Sequence, residues 1–400
     1  MLHGIPLIFR EQSNMYQLRP YQQEAADAAV AFFESETKMN AIEVLPTGSG
    51  KSLIIADIAS RLQGNTLVFQ PSKEILQQNF DKLCSYGILD CAIYSASFNS
   101  KKINRITFAT IGSVIRHINK FAHFDNVIID ECHAVNAKDG MYEEFIRKTE
   151  CKVLGLTATP YRLSTSSYGA MLKFITRTRP RIFSKVIYQV QIKTLLNMGF
   201  LAQLDYWYLP PPQWDERNLK DNSTGADYTD KSVLAEYQRI DFYGWLVSVV
   251  KRLLQPKGRK RNGILVFTRF LAEAERLMRD IDGSAMVSGD TPKAERESIL
   301  EDFKRGNIKV VVNVGVLTTG FDYPELDTIV MARPTKSLSL WYQIVGRAIR
   351  PSPMKDKGWI VDLCGNLNRF GKVEDLELVE PKPNMWQVMS NKRQLTNTLF

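Results

Sequence analysis

Short runs of apolar residues alternate with amphipathic stretches along most of this chain. In the first half, apolar runs at 41–45, 66–70, 106–109, 126–130 and 152–156 predict strands buried on both faces. Helical periodicity falls between them at about 51–62, 73–85, 110–120 and 140–148, and a helix at about 20–35 precedes the first strand. The rhythm returns near the end. Strands are predicted at 263–268, 284–287, 309–313, 328–332 and 359–363, with helices at 270–281, 292–305 and 338–349. Such alternation is the mark of parallel α/β architecture.

The rhythm breaks between about 161 and 262. A Ser-rich loop is followed by a predicted helix at 188–198 that stops at Gly199, a residue suited to a helix C-terminus. A segment YWYLPPPQW (206–214), a polar stretch (218–231) and a helix at about 232–255 follow. The expected division is a first α/β unit at 1–165, linking elements at 166–235, a second unit at 236–380, and a polar, poorly ordered tail at 381–400 containing Pro381 and Pro383.

The 400 residues include 52 Lys or Arg and 43 Asp or Glu, a net charge of +9. Hydrophobic residues make up 44%, which excludes global disorder. The charge permits a phosphate-rich partner without requiring one. No apolar window reaches the ~18 residues of a membrane span, and the first residues lack signal-peptide features. A cytoplasmic protein is expected. Cysteines at 84, 91, 132, 151 and 364 show no CxxC spacing and no grouping with the four histidines. Neither a zinc site nor a disulfide framework is expected.

Candidate chemistry begins at Thr47-Gly48-Ser49-Gly50-Lys51-Ser52, between a predicted strand and a helix. Glycines there let backbone N–H groups turn toward phosphate oxygens, and the helix N-terminus adds its dipole. Lys51 is suited to the β- and γ-phosphates of ATP and Ser52 to Mg²⁺. Leu45 stands where the full pattern has its first glycine. The strand ending at Asp130 supplies a second candidate. Asp130 can hold Mg²⁺, and Glu131 can polarise an attacking water.

These residues carry a family resemblance. Asp130-Glu131-Cys132-His133 resembles the DExH box of superfamily 2 helicases, and further motifs follow in that family's order over about residues 16–365. Details such as LRPYQ, LTTGFD and QIVGRAIR are most similar to RadD-type bacterial DNA repair helicases and related phage helicases. The resemblance implies two tandem RecA-like domains with parallel sheets and an ATP cleft between them. It assigns adenine to Arg19 and Gln22, and coupling to Thr157, Thr159 and Gln343. Gly320 and Asp322 would close on the γ-phosphate and ribose, and Arg347 and Arg350 would act as arginine fingers. If residues 343–350 are helical, Gln343, Gly346, Arg347 and Arg350 share one face. Candidate polynucleotide contacts are Ser72, Lys73, Thr110, Arg269 and Thr318.

The expected function is an ATP-dependent DNA helicase or translocase, a monomeric motor on single-stranded, forked or branched DNA. An RNA helicase, a non-unwinding duplex translocase of a restriction system and a nucleotide switch remain as alternatives. The basic run 257–261 reads as a phosphate-contacting loop or a solvated linker. Tyr206, Trp207, Tyr208 and Trp214 read as a base-stacking element or as packing. Since Cys364 alone lies beyond the motifs, no counterpart is expected to the cysteine-rich zinc module that RadD-type proteins carry after the motor.

Overall fold

The computed structural model describes residues 17–136, 140–166, 169–255, 261–317 and 321–397. Two parallel sheets dominate it. The first contains β1 (Ala41–Val44), β2 (Thr66–Phe69), β3 (Cys91–Ser95), β4 (Ser100–Lys101), β5 (Ile106–Ala109), β6 (Asn126–Asp130) and β7 (Lys152–Thr157). After the hairpin of β8 (Tyr161–Ser166) and β9 (Gly169–Phe174), β10 (Lys185–Gln189) completes it, in the order β10-β1-β7-β6-β2-β5-β3-β4. Only β4 runs antiparallel. The second sheet comprises β11 (Gln203–Tyr208), β12 (Ile264–Thr268), β13 (Ser284–Val287), β14 (Val310–Val314), β15 (Thr328–Ala332) and β16 (Lys357–Asp362). Its order is β11-β16-β15-β12-β14-β13, parallel throughout.

The central strands β1, β2, β5, β6, β12 and β15 are buried along their whole length, because helices cover both faces. They are therefore predominantly apolar in the sequence, although β1 carries the buried Glu43 and β5 the buried Thr107. Edge strands carry a weaker signal. Every residue of β10 is half-buried, and β11 mixes Gln203 and Asp205 with Leu204 and the aromatic run 206–208 and buries only Leu204 fully. Both lie in the stretch expected to be linking elements at 166–235, and both instead complete a sheet. The helix expected at 188–198 shortens to Ile192–Asn197, since Tyr188 and Gln189 are ladder residues beside Glu43 and Val44. The helix expected at 232–255 is two, Asp230–Arg239 and Phe242–Leu254. They break at Asp241, whose φ is +48° and whose carboxylate accepts from Gly244 N.

The stretch 381–400, expected to be a polar, poorly ordered tail, is ordered up to residue 397 and pairs with the strand before it. β17 (Leu376–Val379), β18 (Gln387–Ser390) and β19 (Arg393–Gln394) form a small antiparallel sheet. Burial of Trp386, Val388 and Leu395 holds it in place. It touches the first sheet's elements, where Gln191 exchanges two hydrogen bonds with the Leu378 backbone and Trp386 stacks on Phe174. Among the described residues no helix is long and apolar enough to cross a membrane.

Candidate active site

β1 ends at Val44, and the chain turns through residues 46–50 into the helix Lys51–Arg61. Gly48 and Gly50 have φ of +84° and +81°, a left-handed conformation that favours glycine. At Gly50 there is a second reason. A Cβ would stand 2.5 Å from Gln22 Nε2. That amide donates to Ser49 O at 2.8 Å, the Tyr21 hydroxyl donates to the same oxygen at 2.7 Å, and Gln22 Oε1 accepts from Arg19 N. The loop's carbonyl is thus tied to the helix that starts at Pro20. Arg19 lays its guanidinium 4.4 Å from the centre of the Phe200 ring. Gln22 is 4% exposed and supports the loop from behind, and neither it nor Arg19 lines the cleft below.

Asp130 closes β6, and Glu131 follows with φ +50°, strained for a residue other than glycine. That turn aims the Glu131 carboxylate between two partners. Lys51 Nζ lies 3.3 Å from Oε1 and His133 Nδ1 lies 3.2 Å from Oε2. The two carboxyls are pushed apart. Burial raises Asp130, with the Glu131 charge adding to it. Burial also acts to raise Glu131, but Lys51 and His133 outweigh it and hold that carboxyl below its ordinary range. His133 Nδ1 is also 2.9 Å from Thr157 Oγ1, and that hydroxyl accepts from Thr159 N.

A residue that the sequence reading missed joins this group. Asn79, buried on the helix Lys73–Ser85, accepts from Ser52 Oγ at 2.5 Å. Its Nδ2 donates to Gln70 Oε1 at 3.1 Å and to Asp130 Oδ2 at 3.4 Å. One amide therefore spans Ser52 and Asp130. These hard oxygen donors, with no cluster of three His, Cys, Asp or Glu among the described residues, fit Mg²⁺ held partly by phosphates.

The second sheet supplies the opposite wall. The helix Leu338–Val345 stops before the expected face is complete, and residues 346–350 form a tight turn. Arg347 N and Ala348 N donate three residues back, to Ile344 O and Val345 O, and Lys355 Nζ donates to Ala348 O and Leu326 O. The reason is close packing across the cleft. A Cβ on Gly346 would stand 2.9 Å from Thr47 Cβ and Cγ2. The turn still delivers both arginines. Arg347 donates to Phe321 O at 2.6 Å, and Arg350 is ion-paired with Asp322, which accepts from Gln78 of the first unit. Burial lowers both guanidinium groups to about 10, so each stays charged at neutral pH. Gln343 Nε2 reaches His133 Nε2 at 3.3 Å. The resulting cleft, about 1550 Å³ and open to solvent, brings together Thr47, Gly48, Gly50, Lys51, Ser52, Asp130, Glu131, Asp322, Gln343, Arg347 and Arg350. Gly320 lies outside the described residues.

A second cleft opens on the other side of Asp130 and Glu131, lined by Gln70, Ser97, Thr110, Gly112 and Arg116. Of the expected polynucleotide contacts, Thr110 lines it. Ser72 caps its helix by accepting from Ile75 N, and Lys73 Nζ sits 4.7 Å from the centre of the Phe98 ring. Arg269 is bound to Asp230, Asp227 and the Tyr228 carbonyl, and its side chain is 10% exposed. It fastens residues 227–230 to the second sheet, contrary to the expected strand contact. Thr318 lies outside the described residues, as do residues 257–260 of the basic run. Arg261 of that run stacks on Trp359, on which Trp207 also stacks with ring centres 5.6 Å apart. Trp214 packs against Tyr237 and Phe242, and the Tyr206 hydroxyl donates to Glu374.

Residues 15–162 match the family described as type III restriction enzyme, res subunit, and residues 245–352 match the helicase conserved C-terminal domain. The chain is 26% identical over 380 residues to IRC3 of Saccharomyces cerevisiae, an inferred ATP-dependent helicase, covering 87% of this chain and 51% of that protein. It is 24% identical to the DNA 3'-5' helicase XPB of Mycobacterium tuberculosis, covering 84% and 58%. The chain thus spans little more than half the length of these relatives. A type ISP restriction-modification enzyme, LlaBIII, solved bound to DNA, shares the fold with a TM-score of 0.64 at 18% identity, covering 87% of this chain and 27% of that one. With the two matched modules in series over paired parallel sheets, the chain belongs to the superfamily 2 helicases, a family built on two RecA-like domains.

Proposed function

We propose that this chain is an ATP-driven DNA motor that moves on or remodels single-stranded, forked or branched DNA in repair, recombination or replication. The observation that carries the reading is the single cleft in which Lys51, Ser52, Asp130 and Glu131 of one sheet face Gln343, Arg347 and Arg350 of the other. Lys51 and the N–H groups of residues 47–52 hold the phosphates. Ser52 and Asp130 would hold Mg²⁺, which when bound neutralises phosphate charge. Glu131, kept ionised by Lys51 and His133, orients the attacking water and accepts its proton. Arg350 leaves Asp322 to meet charge that develops on the transferred phosphoryl group, and Arg347 holds the Phe321 backbone beside it. His133 carries the change from Glu131 to Thr157 and to Gln343 on the other domain. Arg19 and Gln22 fix the loop against which the base lies. Closure on ATP and opening after hydrolysis give alternating grip on a strand in the Thr110 cleft. DNA as the polymer is supported by what XPB is named for.

The test is ATP turnover with single-stranded DNA, duplex, forked DNA, a four-way junction and RNA. Stimulation by DNA, lost in Lys51→Ala, is expected. Stimulation by RNA alone would refute the DNA reading, and turnover surviving Lys51→Ala would refute the site. The match to the res-subunit family favours one second reading, duplex translocation without strand separation. Displacement of a triplex-forming strand without unwinding of a fork would establish it.

A further inference from the structure

Asn79 stands between the two clefts, and its bonding leaves little room for another arrangement. Its Oδ1 accepts from Ser52 and its Nδ2 donates to both Gln70 and Asp130. Three of the four bonds that the amide can make are used, so its orientation is fixed by partners on three different elements. Because the Ser52 hydroxyl proton is directed at Asn79, the Ser52 lone pairs are left for a cation or phosphate-bound water. Gln70, at the end of β2, is 1% exposed and lines the Thr110 cleft. Its Oε1 is taken by Asn79, while its Nε2 is buried without a hydrogen-bond partner among the described residues. A buried donor without a partner is destabilising, so a ligand oxygen entering that cleft is drawn to it. Any rotation of the Gln70 amide toward such a ligand shifts the oxygen to which Asn79 is bound. That in turn moves the amide joining Ser52 to Asp130.

We propose that Asn79 is a positioning residue that couples occupancy of the Gln70 cleft by a polynucleotide phosphate to the Ser52–Asp130 pair at the nucleotide. The inference rests on the motor reading above. Coupling between two ligands is reciprocal and is read as a ratio of affinities.

The experiment titrates the full chain with fluorescent ADP, with and without Mg²⁺, in the presence and absence of a short oligodeoxythymidylate. In the unaltered protein the oligonucleotide is expected to change the Kd for ADP in Mg²⁺ by about fivefold or more, and less without Mg²⁺. In Asn79→Ala that ratio is expected to approach one. Gln70→Ala, which leaves Ser52, Asn79 and Asp130 in contact, should lose the ratio as well and covers the case in which Asn79→Ala does not fold. The double variant should lose no more than either single one, as expected of one chain of contacts. An unaltered ratio in Gln70→Ala or in folded Asn79→Ala overturns the inference and leaves the motor reading standing. Absence of any coupling or DNA-stimulated turnover in the unaltered protein overturns both.

Discussion

Glu131 concentrates the electrostatics of the site in one side chain. Its carboxylate holds Lys51, the cation proposed to meet phosphate, at 3.3 Å. Glu131→Gln should therefore separate two effects. Phosphate would compete with an amide instead of a charge, so ATP should bind several-fold more tightly, while single-turnover hydrolysis falls by about 100-fold or more. Hydrolysis within threefold of the unaltered protein would remove Glu131 from the base role. At this scale the sequence was legible wherever chemistry demands a residue type at fixed spacing, as in Gly48, Gly50, Lys51 and Asp130. Asn79 and Gln70 were not legible. An amide's importance here lies in the partners that three separate elements bring to it, and spacing along the chain does not encode that. Arg269 failed for the opposite reason, since a basic residue after a strand gives no sign that Asp227 and Asp230 will occupy it.

Among the elements, the turn at residues 346–350 departs most from the periodicity of its sequence. Apolar spacing continues through Ile349, yet the helix ends at Val345 because Gly346 must lie against Thr47. A side chain there should act as a wedge. Gly346→Val is expected to lower kcat by about tenfold or more, since closure places Arg350. Binding of nucleotide to the isolated loop side should change by only a few-fold. Single-turnover kinetics beside equilibrium ADP binding would show this, and equal losses in both would refute it. The parallel strands were legible because burial on both faces makes them predominantly apolar runs. β10, β11 and β17–β19 were not, because edge and satellite strands are half-buried and keep polar residues.

The molecule as a whole is tied together by its last strands. Trp386 is 9% exposed and stacks on Phe174 of the β8–β9 hairpin, a residue distant from it in the sequence. Trp386→Ala should destabilise by about 3 kcal/mol, and calorimetry should record a lower Tm for the transition that includes the first sheet. A change confined to a separate, later transition would mean that the small sheet stands alone. Between the two large sheets the described chain crosses once, through residues 190–202, joining the edge strand β10 to the edge strand β11. A rotation between the sheets hinged at that crossing would use the first sheet as a lever with its fulcrum at β10. Strands are spaced ~4.8 Å apart, so β1 lies about 5 Å from the fulcrum and β3 about 29 Å. A rotation of about 10° would move the phosphate loop by about 0.8 Å and β3 by about 5 Å. The phosphate loop sits on the short arm, where movement stays within an ångström, while β6, which carries Asp130, lies about 14 Å from the fulcrum. The Thr110 cleft, beside β3 and β5, sits on the long arm, where displacement is largest.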